Sequence, residues 1–179
     1  MDNPSFSSRE PRIYFTKVST LEEINIFLQI SSRHLQRLTR SVTTVKGVEV
    51  IADKKRILVI DDNADIRDLI EYIFEKDGKH VIQGEDGEKG LAKLKAERPD
   101  LILLDTTMPG ISGLDVLKVI RQNVDNEIST IPVVMLTANS ADADIKKAYE
   151  IGASSYIVKP FKREKILAEV DLLLQLKEA

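Results

Sequence analysis

The twelve residues Ile102–Gly113, ILLDTTMPGISG, decide how this chain folds. Two leucines run straight into Asp105, and a Met-Pro pair and two glycines follow. An apolar run that stops at a carboxylate and turns at once reads as the end of a buried strand at the rim of a core. A charge in that position costs free energy unless something pairs with it. The stretch therefore calls for a fold that brings compensating groups to its strand ends.

Outward from this stretch, short apolar runs alternate with amphipathic segments from Arg56 onward. RILVI (56–60), HVI (80–82), LILL (101–104), PVVML (132–136) and SYIV (155–158) read as strands. Ile66, Leu69, Ile70, Ile73 and Phe74 recur at helical spacing. A second helix is predicted over 88–97, with Pro99 ending it. Leu114, Leu117 and Ile120 mark a third, and Ile145, Ala148 and Tyr149 a fourth. Phe161, Ile166, Leu167, Val170, Leu173 and Leu174 mark a closing helix. The strands are continuous apolar runs without polar alternation, as expected when helices cover both faces of a sheet. Five strands alternating with five helices, joined by right-handed crossovers, give a doubly wound parallel sheet. Sites in such sheets lie beyond the carboxyl ends of the strands, near the switch in strand order.

Chemistry-bearing residues stand at those ends. The first strand runs into Asp61-Asp62, the third into Asp105, the fourth into Thr137 and the fifth into Lys159-Pro160. Taken singly, each has an ordinary explanation: a helix N-cap, a strand-end hydroxyl, a solvated loop lysine. Taken together, they place three carboxylates, a hydroxyl and an ammonium at one edge. Neighbouring carboxylates raise one another's pKa unless a cation relieves them. Oxygen-only ligands suit Mg²⁺, which takes one or two carboxylates and keeps several waters. Asp105 can serve as a metal ligand and as a nucleophile, because a carboxylate can carry a phosphoryl group as an acyl phosphate. Lys159 and the metal would offset charge on the phosphoryl oxygens, and Thr137 could donate to one of them.

Other phosphate chemistries fit less well. The turn after the first strand is DDNAD (61–65), which lacks the glycines that cradle a flavin or dinucleotide phosphate. No G-x-x-x-x-G-K-[ST] loop is present. Phosphatases with an aspartate nucleophile commonly carry D-x-D, and Asp105-Thr106-Thr107 lacks the second acid.

ILVIDDNADIRDLI, PDLILLDTTMPGISGLDVL, IPVVMLTA and GASSYIVKPF closely resemble the receiver domain of bacterial two-component response regulators. The resemblance covers about residues 55–178, within a receiver domain expected at 55–179, and implies a (βα)5 flavodoxin-like fold, α/β class, with strand order 2-1-3-4-5. It implies that Asp105 accepts a phosphoryl group from a sensor histidine kinase or a phosphotransfer protein. Mg²⁺ would be held by Asp61, Asp62, Asp105 and the backbone carbonyl of Thr107. Thr137 and Lys159 match the switch hydroxyl and the phosphate-facing lysine, and Tyr156 the aromatic that turns inward on activation. Thr107 and Asn139 fall at positions that tune the lifetime of the acyl phosphate. The Lys159–Pro160 bond is cis in the family. Such a domain is a phosphoacceptor switch rather than an enzyme, with slow self-dephosphorylation only.

Residues 1–54 form a small, basic N-terminal α/β extension in this reading. RIYFTKV (12–18) looks strand-like, and Ser19 or Thr20 stands where a helix would start. VKGVEVIADKKR (45–56) reads as a turn with a strand, or as a wing-like hairpin. STLEEINIFLQISSRHLQRLTRS (19–41) is similar to the helix-turn-helix of excisionase and MerR-like DNA-binding families. Arg33, His34, Arg37 and Arg40 would then lie on or near the DNA-facing helix. Gln29 stands where those families place a turn glycine. The alternative is one continuous helix, since Leu21, Ile24, Leu28, Leu35, Leu38 and Val42 also fit a heptad stripe. That would make the extension a docking or homodimerisation arm without DNA contact.

Bulk properties frame these choices. Residues 1–56 carry a charge of +4 and the remainder −7, so the overall −3 conceals two unlike units. Cysteine is absent, which removes disulfide scaffolds and thiolate metal sites. No apolar run approaches the roughly 20 residues that span a bilayer. MDNPSFSSREPR does not read as a secretion signal, so a cytoplasmic location is expected.

Overall fold

A computed structural model describes residues 44–45, 48–49, 54–138 and 142–178. The chain divides into two units, Met1–Asp53 and Lys54–Ala179. In the first unit, strands β1 (Thr44–Val45) and β2 (Val48–Glu49) pair antiparallel, Thr44 opposite Glu49 and Val45 opposite Val48. Both helix alternatives, with Arg33, His34, Arg37 and Arg40, lie outside the described residues.

The second unit is built on a five-stranded parallel sheet. Its strands are β3 (Arg56–Ile60), β4 (His80–Gly84), β5 (Leu101–Asp105), β6 (Val133–Thr137) and β7 (Ser155–Val158). They lie in the order β4-β3-β5-β6-β7, which is 2-1-3-4-5 counted within the sheet. The connections are α1 (Ala64–Lys76), α2 (Gly87–Glu97), α3 (Gly113–Arg121), α4 (Asn126–Ser129) and α5 (Asp142–Ile151), and α6 (Arg163–Glu178) closes the unit. The flavodoxin-like (βα)5 architecture expected from the sequence is present.

The continuous apolar runs work by alternation between two cores. Leu58, Ile60, Ile102 and Leu104 face one side, with Leu94, Val116, Leu117 and Ile120 from α2 and α3. Ile57, Val59, Leu101 and Leu103 face the other, with Ile70, Ile73 and Phe74 from α1 and Ile166, Val170 and Leu174 from α6. Successive strand residues point to opposite faces, so a strand covered on both faces must be apolar throughout.

Local chemistry sets the helix starts. Asn63 caps α1 by accepting from the Asp65 and Ile66 N–H groups. Asp86 caps α2 through Lys89 N–H, and Ser112 caps α3 through Asp115 N–H. Helix α2 stops where Arg98 takes a left-handed conformation (φ 48°) ahead of Pro99. The residue before a proline is disfavoured in the helical region.

One element was not anticipated. Helix α4 is a single turn, NEIS, held by its Asp125 cap and by Ile128, which is buried. Its position is secured by Arg121 at the end of α3. That guanidinium donates to the carbonyls of Ser129 and Ile131 at 2.9 Å and, through Nε, to Gly152 at 2.8 Å. The contacts tie together the ends of three connections. Arg121→Met keeps much of the stem and removes all three donors. Since an orphaned buried acceptor costs about 1–3 kcal/mol, the variant is expected to lose about 2–4 kcal/mol. The loss should appear as a lower urea midpoint at unchanged m.

Candidate functional site

The carboxyl ends of β3, β5, β6 and β7 converge as the topology requires. Ladder hydrogen bonds continue past the strands: Asp61 N–H donates to the Gly84 carbonyl, Thr106 N–H to Leu136 and Lys159 N–H to Thr137. Asp105 and Thr137 are the last residues of their strands, and both are buried.

Asp61 is fully buried and Asp62 is exposed. A strand-final Asp-Asp could have been only a helix cap, but Asn63 takes that role and leaves both acids for the pocket. Carboxylate oxygens of Asp61, Asp62 and Asp105 lie within 4.8 Å of one another. Lys159 Nζ donates to Asp61 Oδ2 at 2.6 Å and to Asp105 Oδ1 at 2.7 Å. The remaining Asp105 oxygen accepts from Thr107 N–H at 2.9 Å, and Asp61 Oδ1 accepts from Asn63 N–H at 3.0 Å. The Lys159–Pro160 peptide is cis.

Burial pushes the Asp105 carboxyl above the ordinary carboxylate range. The Lys159 hydrogen bond and charge, and the Thr107 N–H, pull it down, while the Asp61 charge adds to the rise. Burial also weighs most heavily against the Lys159 ammonium. Its two hydrogen bonds and the charges of Asp105 and Asp61 together outweigh that, and its pKa lies above the usual lysine value. Both shifts favour holding a proton, the response of a pocket with three acids and one base. A donor set of carboxylate oxygens with excess negative charge fits a hard divalent cation such as Mg²⁺.

Two further predicted site residues border this cluster, Thr107 through its N–H to Asp105. Thr107 is exposed in the loop after β5. Tyr156 on β7 is half-buried and packs against the core on the α2–α3 side of the sheet. Asn139 lies outside the described residues.

Sequence reasoning missed Arg67. Its Nη1 donates to the main-chain carbonyl of Asp61 at 2.8 Å, and its Nε donates to Gln83 Oε1 at 3.1 Å. The available signal was a cation on the fourth residue of α1, close to a helix N-terminus that favours negative charge.

A doubly wound parallel sheet with three acids and a lysine gathered at its switch edge defines the class: a flavodoxin-like α/β domain with an acidic cluster that could hold a hard cation. The family follows from comparison. Residues 57–171 match the response regulator receiver domain, and the chain belongs to that family. Among curated relatives, it is 39% identical over 124 residues to the alkaline phosphatase synthesis transcriptional regulatory protein PhoP of Bacillus subtilis, covering 69% of this chain and 50% of that one. It is 36% identical over 121 residues to the phosphate regulon transcriptional regulatory protein PhoB of Klebsiella pneumoniae, covering 68% and 52%. The chain thus spans about half the length of the curated relatives it matches. Among solved structures, the CheY-like receiver domain protein of Methanospirillum hungatei superposes with a TM-score of 0.65 at 28% identity, covering 71% of this chain and 100% of that one. The Vibrio cholerae chemotaxis protein CheY4 gives 0.64 at 27%, covering 68% and 99%. Among the described residues, no helix is long and apolar enough to cross a membrane.

Proposed function

We propose that this protein is a phosphorylation-controlled switch whose acceptor is Asp105 and whose donor is a phosphohistidine on a sensor kinase or phosphotransfer protein. One observation carries this reading: a strand-end aspartate shares a lysine with a second acid and lies beside a third. An Asp105 oxygen attacks phosphorus, the phosphorus–nitrogen bond breaks, and the imidazole leaves with the electron pair. The product is an acyl phosphate. Lys159 bears on the added charge from its place between Asp61 and Asp105, and Thr137, at the neighbouring strand end, turns toward the new acceptor oxygens. Asp61, Asp62, Asp105 and the Thr107 carbonyl would hold Mg²⁺, which supplies charge neutralisation for the transferring phosphoryl group. Tyr156 moves with β7 as the face beyond Thr137 rearranges, and a partner reads the change. Thr107 and Asn139 set access to the acyl phosphate and so its hydrolysis rate.

For the output, DNA binding is favoured by the +4 charge of residues 1–56 and by the printed roles of curated relatives as transcriptional or DNA-binding regulators. The competing reading is a protein-docking or dimerisation arm. The chemotaxis relative favours it, since the receiver alone accounts for 99% of that chain. The test is acetyl phosphate labelling of the full chain with and without Mg²⁺, followed by DNA retention of both forms at rising salt. Mg²⁺-dependent uptake of one phosphoryl group per chain is expected. Salt-sensitive retention that weakens in Arg37→Ala supports the DNA reading. Retention by neither form, with a change in molecular size on labelling, supports the docking arm. Sustained turnover beyond one phosphoryl group per chain would make the protein a phosphohydrolase and overturn the switch.

A further inference from the structure

The three acids of the pocket are not held alike. Asp61 is pinned at every polar atom: its N–H by Gly84, one carboxylate oxygen by Asn63 N–H, the other by Lys159, and its carbonyl by Arg67. Asp105 is held by Lys159 and Thr107. Asp62 is exposed, and among the described residues no hydrogen bond or ion pair reaches its carboxylate. Its direction therefore comes from its backbone, and the peptide entering Asp62 is the one whose carbonyl Arg67 grips.

Arg67 is itself held in place. Its Nε donates to Gln83 Oε1, and that amide is oriented by its other end, which donates to Glu71 Oε2 at 2.8 Å and Asp68 Oδ1 at 3.2 Å. An amide that gives both protons to carboxylates must present its oxygen to the guanidinium. The chain of contacts runs from α1 to β4 and back to the turn carrying the acids. Arg67 and Gln83 are both half-buried, so the network is partly shielded from water.

We infer that Arg67 is a positioning residue for the divalent cation, acting through the Asp61–Asp62 peptide, and that Gln83 aligns Arg67. The inference rests on the metal-binding part of the proposed function. Charge alone predicts the opposite sign. A guanidinium beside three carboxylates repels a cation, so its removal should tighten metal binding if Coulomb repulsion dominates. Positioning predicts that removal weakens it, because groups that orient metal ligands typically carry a 10–100-fold effect on affinity.

The experiment uses the full chain, titrated with Mg²⁺ by calorimetry and followed at the Asp62 amide by NMR in the metal-free state. Arg67→Met is expected to weaken Mg²⁺ about tenfold and to shift or broaden the metal-free Asp62 amide signal. Arg67→Lys, which keeps the charge but loses the two-nitrogen fork, should weaken it by a similar amount. Gln83→Leu should give a smaller change in the same direction and serves as the second variant if Arg67→Met does not fold. Unchanged or tighter Mg²⁺ binding in folded Arg67→Met or Arg67→Lys overturns the positioning role while leaving the switch intact. A wild-type chain that takes up no Mg²⁺ overturns both. Weaker binding with an unmoved Asp62 amide would separate the effect from the Asp61–Asp62 peptide and also overturn the role.

Discussion

Asp105→Asn is expected to abolish phosphoryl labelling, leaving only the signal seen without Mg²⁺. The amide matches the carboxylate in size, and its oxygen can still accept from Lys159 or from Thr107 N–H, the two donors that hold Asp105. What it lacks is an anionic oxygen able to attack phosphorus. Acid-stable, base-labile label on the wild type, absent from the variant, is the expected result. Label of undiminished amount at another residue would remove Asp105 from its role. Loss of label is read against the variant's fold. Burial raises the Asp105 pKa, so the folded state binds this proton more tightly than the unfolded chain. Its contribution is fully present below the ordinary carboxylate range and is lost as pH rises through the raised value. A neutral amide escapes that loss but gives up the charge that supports the Lys159 ammonium, so thermal melting of the metal-free variant accompanies the labelling to show that it is folded.

That aspartate was legible because topology and chemistry reinforce each other. Continuous apolar runs identify strands covered on both faces. Parallel strands point their carboxyl ends the same way, so residues far apart in sequence, such as Asp61, Asp105 and Lys159, can be assigned to one pocket before any coordinate is known. Helix α4 escaped because four residues with one buried isoleucine carry no period, and its position depends on Arg121 from another element. Arg67 escaped for a related reason. Its contact is to a backbone carbonyl, and backbone partners leave no mark in the pattern of side chains. For the segment around β1 and β2 the sequence left a turn with a strand and a hairpin both open, and the arginines expected to meet DNA lie outside the described residues.

Gly113→Ala is expected to cost about 3 kcal/mol or more, and to damage the site along with the fold. Gly113 opens α3, and its N–H donates to the Thr106 carbonyl at 3.1 Å. The helix start is drawn so close to the end of β5 that an added Cβ would sit 1.9 Å from the Asp105 carbonyl oxygen, 2.8 Å from its carbonyl carbon and 2.9 Å from Thr106 Cα. All three are backbone atoms, so no side-chain rotation can relieve the overlap. Either α3 moves away from the sheet, opening the packing of Val116, Leu117 and Ile120, or the Asp105–Thr106 peptide twists. The second course turns the acceptor carboxylate and the Thr107 N–H that holds it. This contact explains why the opening stretch must end in glycine: the residue that would react and the helix behind it share one point of backbone contact. Thermal melting and labelling should therefore fall together in Gly113→Ala. By contrast, alanine at Gly78, where an added Cβ meets nothing within 4 Å, bears only the strain of φ 80° and should label at the wild-type rate. A Gly113→Ala chain that melts and labels like the wild type would show that α3 can withdraw from β5 at little cost, and that the acceptor's position does not depend on that contact.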